Sequence, residues 1–312
     1  METLNLNEYQ YILEPLINKA IIDSMKTVSG KSKLQEPDYI ASLTVNFTRD
    51  LYQILKTIFP NYEFAVSSVF CHQKPIVDIK EVKKPELGDI LFVYAYERLD
   101  GSILYNSLLL QAKISSMPIH KINSNELHQL KLYQNWPEFT YFRAGKLNGT
   151  KRNIFPKSIN DGAQYLLIDN DPLSNGFLDS KNMFPMGCAT PNRVLQLNKS
   201  LSSELIDFFK FKAGRTFDKD YLNTKDDWSK MIWDLLEITV DSYFKRKNIN
   251  YKNSSRITMY SDSDHERENT KFYKLLKFAE QKDYSNYSND ECCEGGISVI
   301  FIECKNRNRD ER

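Results

Sequence analysis

Residues 86–115 read ELGDILFVYAYERLDGSILYNSLLLQAKIS, and this stretch decides the fold class. It contains two runs, 90–97 and 103–115, that are rich in aliphatic and aromatic residues, as buried strands are. Asp100-Gly101 between them is a strong signal for a tight hairpin turn. The stretch therefore predicts two neighbouring antiparallel strands.

Polar side chains stand at one end of this predicted hairpin. Asp89 precedes the first strand, whereas Gln111 and Lys113 end the second. Antiparallel pairing places the start of one strand beside the end of the next, and side chains two residues apart share a face. We therefore expect a carboxylate, an amide and an amine to converge there, with Ala112 facing the other way.

The flanking sequence predicts a mixed α/β architecture. Helical spacing of apolar residues indicates helices over 8–25, 36–58, 124–134, 201–212 and 226–247, and a short one over 272–279. Further β-rich runs cover 64–72, 139–143, 163–169 and 297–304. We interpret this order as an N-terminal helical segment (1–33), a core (34–170), and a helical elaboration (171–312) whose final buried strand joins the core sheet.

The composition is that of an ordinary globular protein. The 312 residues include 42 Lys and Arg against 41 Asp and Glu, which gives a formal net charge of +1. No run approaches the roughly 18 apolar residues of a membrane span. The five cysteines form no Cys-x-x-Cys pair, so we expect reduced thiols, no membrane association and a cytoplasmic location. No glycine-rich phosphate loop is present, so the sequence does not predict NTP hydrolysis.

The convergent polar residues suit hydrolysis of a phosphodiester. A carboxylate such as Asp89 fixes a hard divalent cation, and the Gln111 amide oxygen and the Ala112 carbonyl add oxygen ligands. Lys113 would orient or deprotonate water and offset negative charge in the transition state. We expect Mg²⁺ as the cofactor, with Mn²⁺ as a substitute.

At these residues the sequence resembles the restriction-endonuclease-like, or PD-(D/E)xK, nuclease superfamily. Asp89 with Gln111-Ala112-Lys113 is similar to its D…(D/E/Q)xK signature, and helix, three strands, helix, strand is its core order. Gln111 stands where an acid is usual, which looks like the Q-x-K pattern of Mrr-type and phage-defence nucleases. The resemblance implies a further acid on the preceding helix, for which Glu36 is the first candidate and Asp38 the reserve.

The resemblance also implies a biological role. It suggests an endonuclease of prokaryotic anti-phage defence that cuts DNA rather than RNA. Because the sequence contains no recognisable DNA-reading motif, targeting would depend on a partner protein subunit or on a homodimer.

Other motifs give weaker signals. Glu303-x-Lys305 also ends a strand, but a single strand separates it from the acids Asp290 and Glu291, so no hairpin would unite them. Gln129 on the following helix is a candidate for lining the cleft. The histidines lack metal-ligand spacing: His72, His120, His128 and His265. The loop cations would either track phosphates or remain solvated: Lys146, Lys151, Arg152 and Lys157. Four aromatic residues are expected to pack in the core: Trp136, Phe139, Tyr141 and Tyr165.

Two alternatives to a nuclease stay open. In the first, Gln111 marks a catalytically inactive nuclease-like module retained for DNA binding or assembly. In the second, the chain is a regulatory protein of a different α/β fold, residues 250–296 form a partner interface, and Asp89 lies far from Lys113.

Overall fold

The computed structural model describes residues 4, 6–28, 34–71, 75–169, 177–178, 183–220, 223–247, 257–264 and 296–307. The helices are α1 (Gln10–Lys26), α2 (Glu36–Ser42), α3 (Thr48–Ile58), α4 (Leu127–Asn135), α5 (Leu201–Phe209) and α6 (Asp227–Lys247). A π-helical turn (Leu43–Phe47) joins α2 to α3, and 3₁₀ turns cover Ser124–Glu126 and Gly145–Leu147.

The strands follow in chain order. They are β1 (Tyr62–Cys71), β2 (Ile76–Asp78), β3 (Ile90–Glu97), β4 (Ile103–Ser115), β5 (Ile119–Lys121), β6 (Phe139–Phe142), β7 (Lys151–Arg152), β8 (Ala163–Asp169), β9 (Phe177–Leu178), β10 (Met183–Phe184), β11 (Met186–Ala189), β12 (Val194–Ser200), β13 (Arg215–Phe217), β14 (Ile257–Ser263) and β15 (Ser298–Asn306).

The helix that precedes the strands begins where its sequence predicts. Gln35 caps it, Pro37 occupies the first turn, and the Asp38 carboxylate accepts a hydrogen bond from the Gln35 backbone N–H at 3.0 Å. Apolar side chains spaced three or four residues apart, including Leu51 and Leu55, are buried against the sheet. The predicted 36–58 helix is thus present, with a π-helical turn in its middle.

A mixed sheet forms the centre of the molecule. Its strand order is β14-β1-β15-β3-β4-β8-β11-β12-β5, and β13 pairs with β4 in addition. The pairs β15/β3 and β4/β8 are parallel, and the other pairs of this sheet are antiparallel. Smaller sheets join β2, β6 and β7, and β9 with β10.

The β3–β4 hairpin forms as the sequence predicts. Its register runs from Ile90 opposite Leu110 to Glu97 opposite Ile103. The turn closes with a hydrogen bond from the Arg98 N–H to the Ser102 carbonyl at 2.9 Å. Gly101 adopts φ +83°, a left-handed conformation that a residue without Cβ takes without strain.

Helices cover both faces of the sheet, so the α/β class is confirmed. Side chains from α1, the α2–α3 helix and α5 pack on one face, together with Phe92 and Leu110. On the other face, α4, α6 and the β2-β6-β7 sheet pack over Leu91 and Leu109. Leu109 and Leu110 thus face opposite cores, as the alternation of side chains along β4 requires.

The chain after residue 170 contributes more strands than its sequence predicts. It was expected to be a helical elaboration with one final strand, yet β11, β12, β13 and β14 also join the main sheet. The last strand, β15, lies between β1 and β3 in the main sheet. The helix predicted over 272–279 lies outside the described residues. In the part of the chain that the structure describes, every helix is too short or too polar to cross a bilayer.

Candidate active site

The hairpin brings Asp89 and the end of β4 together. The Asp89 Oδ2 atom accepts a hydrogen bond from the Ala112 backbone N–H at 2.7 Å and another from the Gln111 side-chain amide. The Asp89 N–H in turn donates to the Leu110 carbonyl at 2.9 Å. The carboxylate is therefore fixed against the strand that carries Lys113.

The start of β3 is held in place by close packing with α4. The Tyr133 hydroxyl donates a hydrogen bond to the Leu87 carbonyl at 2.8 Å. A Cβ at Gly88 would lie 2.7 Å from the Leu109 side chain and 3.1 Å from the Tyr133 hydroxyl. Glycine at position 88 therefore permits the approach that positions Asp89.

Lys113 lies between two carboxylates. Its Nζ atom is 2.6 Å from Glu126 Oε1 and 3.9 Å from Glu36 Oε1, and its side chain is 14% exposed. Burial lowers the pKa of Lys113, but the charges of Glu36 and Glu126 outweigh that effect, so the pKa lies above its usual value. Lys113 is a stable cation in this structure.

Glu36 reaches the site from the first turn of α2, where its side chain is partly exposed. Its Oε1 atom is 3.9 Å from the Lys113 Nζ, at the outer limit of an ion pair, and its charge contributes to the raised pKa of Asp89. Asp38 is engaged in the α2 capping box. Of the two acids that the resemblance suggests, Glu36 contacts Lys113 of β4, and Asp38 stabilises the start of the helix.

Asp89 has a strongly perturbed pKa. The residue is partly exposed, yet its carboxyl group is desolvated; burial above all, together with the nearby charge of Glu86, raises its pKa to about 7. The Ala112 N–H and the Lys113 charge act in the opposite direction but do not offset the burial. Perturbed carboxyl groups of this kind concentrate at functional sites.

Gln111 carries a buried polar atom without a partner. The residue is 5% exposed, and while its amide nitrogen binds Asp89, its Oε1 atom accepts no hydrogen bond from any described residue. Such an atom costs free energy unless water or a ligand satisfies it. The Gln111 Oε1 atom is thus a buried acceptor that a bound water or ion would satisfy.

The donor set fits a hard divalent cation. It consists of the Asp89 and Glu36 carboxylates, the free Gln111 Oε1 atom and the Ala112 carbonyl, which are oxygen ligands of the kind Mg²⁺ takes. In a strand the N–H and C=O of one residue point to the same side, so the Ala112 carbonyl points towards Asp89, as its N–H does. Among the described residues, no three His, Cys, Asp or Glu side chains are grouped closely enough to hold a metal by themselves. The amide and carbonyl oxygens would therefore be essential ligands.

Two acids that sequence reasoning missed belong to this site. Glu126 forms the shortest ion pair of Lys113 and also accepts a hydrogen bond from the Asn123 N–H, as the N3 acid of a capping box. Glu86 lies near enough to raise the Asp89 pKa. The Asn123-x-x-Glu126 spacing was a usable signal for the first, whereas Glu86 has no motif of its own.

Most loop cations singled out in the sequence are occupied elsewhere. Lys146 pairs with Asp241 at 2.7 Å, Arg152 pairs with Asp234 at 2.8 Å, and the Lys157 Nζ donates to the Trp136 carbonyl at 2.6 Å. These contacts are structural, so tracking of phosphates by these three residues is not supported. Lys151 is exposed.

The remaining candidates from the sequence are either packed in the core or carry a polar atom without a hydrogen-bond partner among the described residues. Gln129 is 6% exposed, and its Nε2 atom has no hydrogen-bond partner among the described residues. The four aromatic residues expected to pack are all buried: Trp136, Phe139, Tyr141 and Tyr165. His120 Nε2 is also without a partner in the described chain. His72, His265 and the Cys292-Cys293 pair lie outside the described residues.

The alternative motif at the C-terminus is remote from this site. Ile297 precedes β15 beside the start of β3, and Glu303 lies six residues further along the parallel strand, opposite Ala95. At about 3.3 Å per residue, this is roughly 20 Å from the Asp89 end. Lys305 instead lies 3.8 Å from Glu63. The acids Asp290 and Glu291 fall outside the described residues.

A narrow cleft opens beside Asp89. Its lining includes Pro37, Glu86, Gly88, Asp89 and Ser298, and it has room for about one water molecule.

Comparison with protein-family models, with curated proteins and with solved structures finds no match to this chain. The chemistry of the site therefore rests on its own geometry.

Proposed function

We propose that this protein is a Mg²⁺-dependent endonuclease that hydrolyses phosphodiester bonds in DNA. The observation that carries the proposal is the convergence of Asp89, Gln111 and Lys113 at one sheet end, with the Gln111 Oε1 atom buried and unpaired. Buried polar atoms are usually paired, so an open acceptor beside Asp89 supports a ligand at this point.

In this proposal Asp89, Glu36, the Gln111 Oε1 atom and the Ala112 carbonyl hold the ion. When bound, Mg²⁺ would polarise a phosphate oxygen and favour ionisation of water. The Asp89 carboxyl group must lose its proton before it can serve as a metal ligand.

Lys113 has a narrower role than its sequence position suggests. Both neighbouring carboxylates keep its Nζ atom protonated, so it is poorly suited to accept a proton from water. We assign it to stabilising the charge that develops on the phosphate in the transition state. Glu126, which contacts Lys113 and not the reacting atoms, is a positioning residue.

The resemblance to phage-defence nucleases supports prokaryotic anti-phage defence as the biological setting, with DNA as the substrate. A partner subunit or a homodimer would supply targeting.

Plasmid cleavage tests the assignment. We expect the wild-type protein to nick or linearise supercoiled plasmid with Mg²⁺ but not with EDTA. Lys113→Ala should lower the rate by about 10²-fold or more, since it removes a charge aimed at the transition state. Lys219→Ala, at an exposed lysine that follows β13 near the opposite end of β4, is the matched control and should cut normally. Equal cutting by both variants, with metal-dependent activity intact, contradicts the proposed role of Lys113.

A specific observation favours a second candidate, an inactive DNA-binding or assembly module. Two donors of this chain already bind Asp89, two carboxylates flank Lys113, and the adjacent cleft admits about one water. This candidate predicts DNA binding without metal-dependent cleavage. A crystal soaked in Mn²⁺ separates the two: an ion within coordination distance of Asp89 supports the nuclease, and a site that stays closed at full soaking supports the module.

A further inference from the structure

A short projecting loop leads directly into the candidate active site. We call residues 78–84 the arm. Its base is fixed by backbone hydrogen bonds from the Val77 N–H to the Pro85 carbonyl at 2.9 Å and from the Leu87 N–H to the Pro75 carbonyl at 2.8 Å. Leu87 is followed by Gly88 and Asp89, so the arm ends five residues before the proposed metal ligand.

The arm is held in one shape although little of it is covered. Lys80 adopts φ +62°, which is unfavourable for a residue with a Cβ, and its N–H donates to Asp78 Oδ1 at 2.8 Å. Lys84 pairs with Asp78 at 3.0 Å and lies 3.7 Å from the centre of the Phe142 ring. Glu81 pairs with Lys131 of α4 at 2.8 Å. These contacts order the backbone in advance of any partner.

The same contacts leave a basic tip. Because Asp78 and Glu81 are neutralised by Lys84 and Lys131, the charge left at the tip is that of Lys80 and Lys83. Both lysines are exposed and form no ion pair with any residue the structure describes. Between them in sequence, Val82 is fully exposed.

The arm and Lys113 share one rim of the molecule. Lys131 on α4 contacts the arm, and the segment preceding α4 supplies Glu126 to Lys113. His128, in the first turn of α4, has its pKa lowered by burial and then by the charge of Lys83. The exposed lysines therefore stand beside the site rather than on a remote surface.

We propose that the arm binds the backbone of a DNA duplex, which rests on and deepens the proposed nuclease function. Lys80 and Lys83 would contact phosphates, and Val82 would pack against the sugar edge of a groove. Exposed cations position DNA in this way without reading its sequence. The arm carries no aromatic residue on which unpaired bases could stack, which favours duplex over single-stranded DNA.

Fluorescence anisotropy with a short labelled DNA duplex in EDTA tests the arm without cleavage. We expect Lys80→Ala/Lys83→Ala to weaken binding about tenfold near 0.1 M salt and to reduce the salt slope of log K by about two, one for each lost phosphate contact. Lys212→Ala/Lys219→Ala removes two exposed lysines from another surface and should leave both quantities unchanged. Val82→Glu should weaken binding, and Val82→Ala should do so to a smaller extent.

Equal losses in the two double variants, or no loss in the arm variant, overturn the proposal, as does tighter binding of the single strand or of an RNA duplex. Thermal unfolding of each variant verifies that the fold is intact. Failure of the arm is distinguishable from failure of the nuclease assignment. Normal duplex affinity of the arm variant with Lys113-dependent cleavage removes only the arm, whereas arm-dependent binding without cleavage removes only the nuclease.

Discussion

Two buried carboxylates in this molecule show how a structural acid differs from a candidate functional one. Asp264, which follows β14, has a side chain that is 2% exposed, and it receives Lys56 at 2.7 Å, the Tyr52 hydroxyl at 2.9 Å and the Phe64 N–H at 3.0 Å. Burial would raise its pKa, but these partners lower it overall. Asp89 has its pKa raised to about 7 and lies beside an unpaired amide oxygen.

Burial of a carboxylate alone does not identify a functional site. At Asp264 each carboxylate oxygen is matched to donors, so the charged form is stabilised and the contact joins α3, β1 and the end of β14. At Asp89, burial and the charge of Glu86 destabilise the ionised carboxylate, and the neighbouring Gln111 Oε1 atom has no hydrogen-bond donor among the described residues. The second arrangement costs folding free energy unless a ligand is bound.

The largest expected effect is on catalysis at Asp89. Asp89→Asn keeps an oxygen that accepts from the Ala112 N–H and the Gln111 amide, but it removes the anionic ligand. We expect plasmid cleavage with Mg²⁺ to fall on the order of 10³-fold. The free energy of unfolding in urea near pH 8 should be unchanged or higher, because a desolvated anion is removed. A clear loss of stability would instead class Asp89 with Asp264.

The same substitution at Asp264 should give the reverse pattern. Asp264→Asn introduces an amide where the Lys56 ammonium and the Phe64 N–H require acceptors. We expect the free energy of unfolding to fall by about 2 kcal/mol, from lost hydrogen bonds to a charged group. Cleavage per folded molecule should be unaffected. If Asp264→Asn lowers cleavage while the free energy of unfolding is unchanged, Asp264 is not a purely structural acid and the contrast with Asp89 is wrong.

Glu126 tests whether the Lys113 surroundings are functional. Glu126→Gln retains a hydrogen-bond acceptor for Lys113 but removes its nearest negative charge. We expect cleavage to fall about tenfold, within the range known for residues that orient a catalytic group, and the pH profile to shift because the Lys113 pKa is lowered. Asp23→Asn, at a partly exposed ion pair with Lys26 on α1, is the control for loss of a surface charge. Matching effects from both variants would argue against a positioning role.

The hairpin and its polar end were predictable because their determinants are local. The Asp100-Gly101 turn and the alternation along β4 lie within residues 86–115, so period and turn chemistry suffice to align Asp89 with Gln111. The short-range capping box that carries Glu126 was also visible in the sequence. That residue was missed because its ion pair with Lys113 depends on how α4 packs against the sheet.

The other regions depend on pairings that local patterns do not encode. β14 reads ITMYSDS, which contains no continuous apolar run, and it pairs with β1 almost 200 residues earlier. The partners of Asp264, Tyr52 and Phe64, are 212 and 200 residues away in sequence. The composition of β15 showed that it is buried, but its place between β1 and β3 is decided by long-range packing.

The smallest and most discriminating effect is a pH dependence measured in EDTA. The quantity is the difference in unfolding free energy between the wild type and each of the variants Asp264→Asn and Asp89→Asn. The Asp264 pKa is lower in the folded state than in the unfolded state, so its stabilisation is present above about pH 4 and is lost as the pH falls through the folded value. The difference in unfolding free energy between wild type and Asp264→Asn should therefore narrow in acid. Asp89 has the opposite sign: its pKa is raised to about 7, so wild type should lose stability relative to Asp89→Asn as the pH rises from about 4 to 7. If both differences change with pH in the same direction, the electrostatic distinction between Asp264, a structural ion-pair partner, and Asp89, a candidate metal ligand, is wrong, whatever the cleavage assays show.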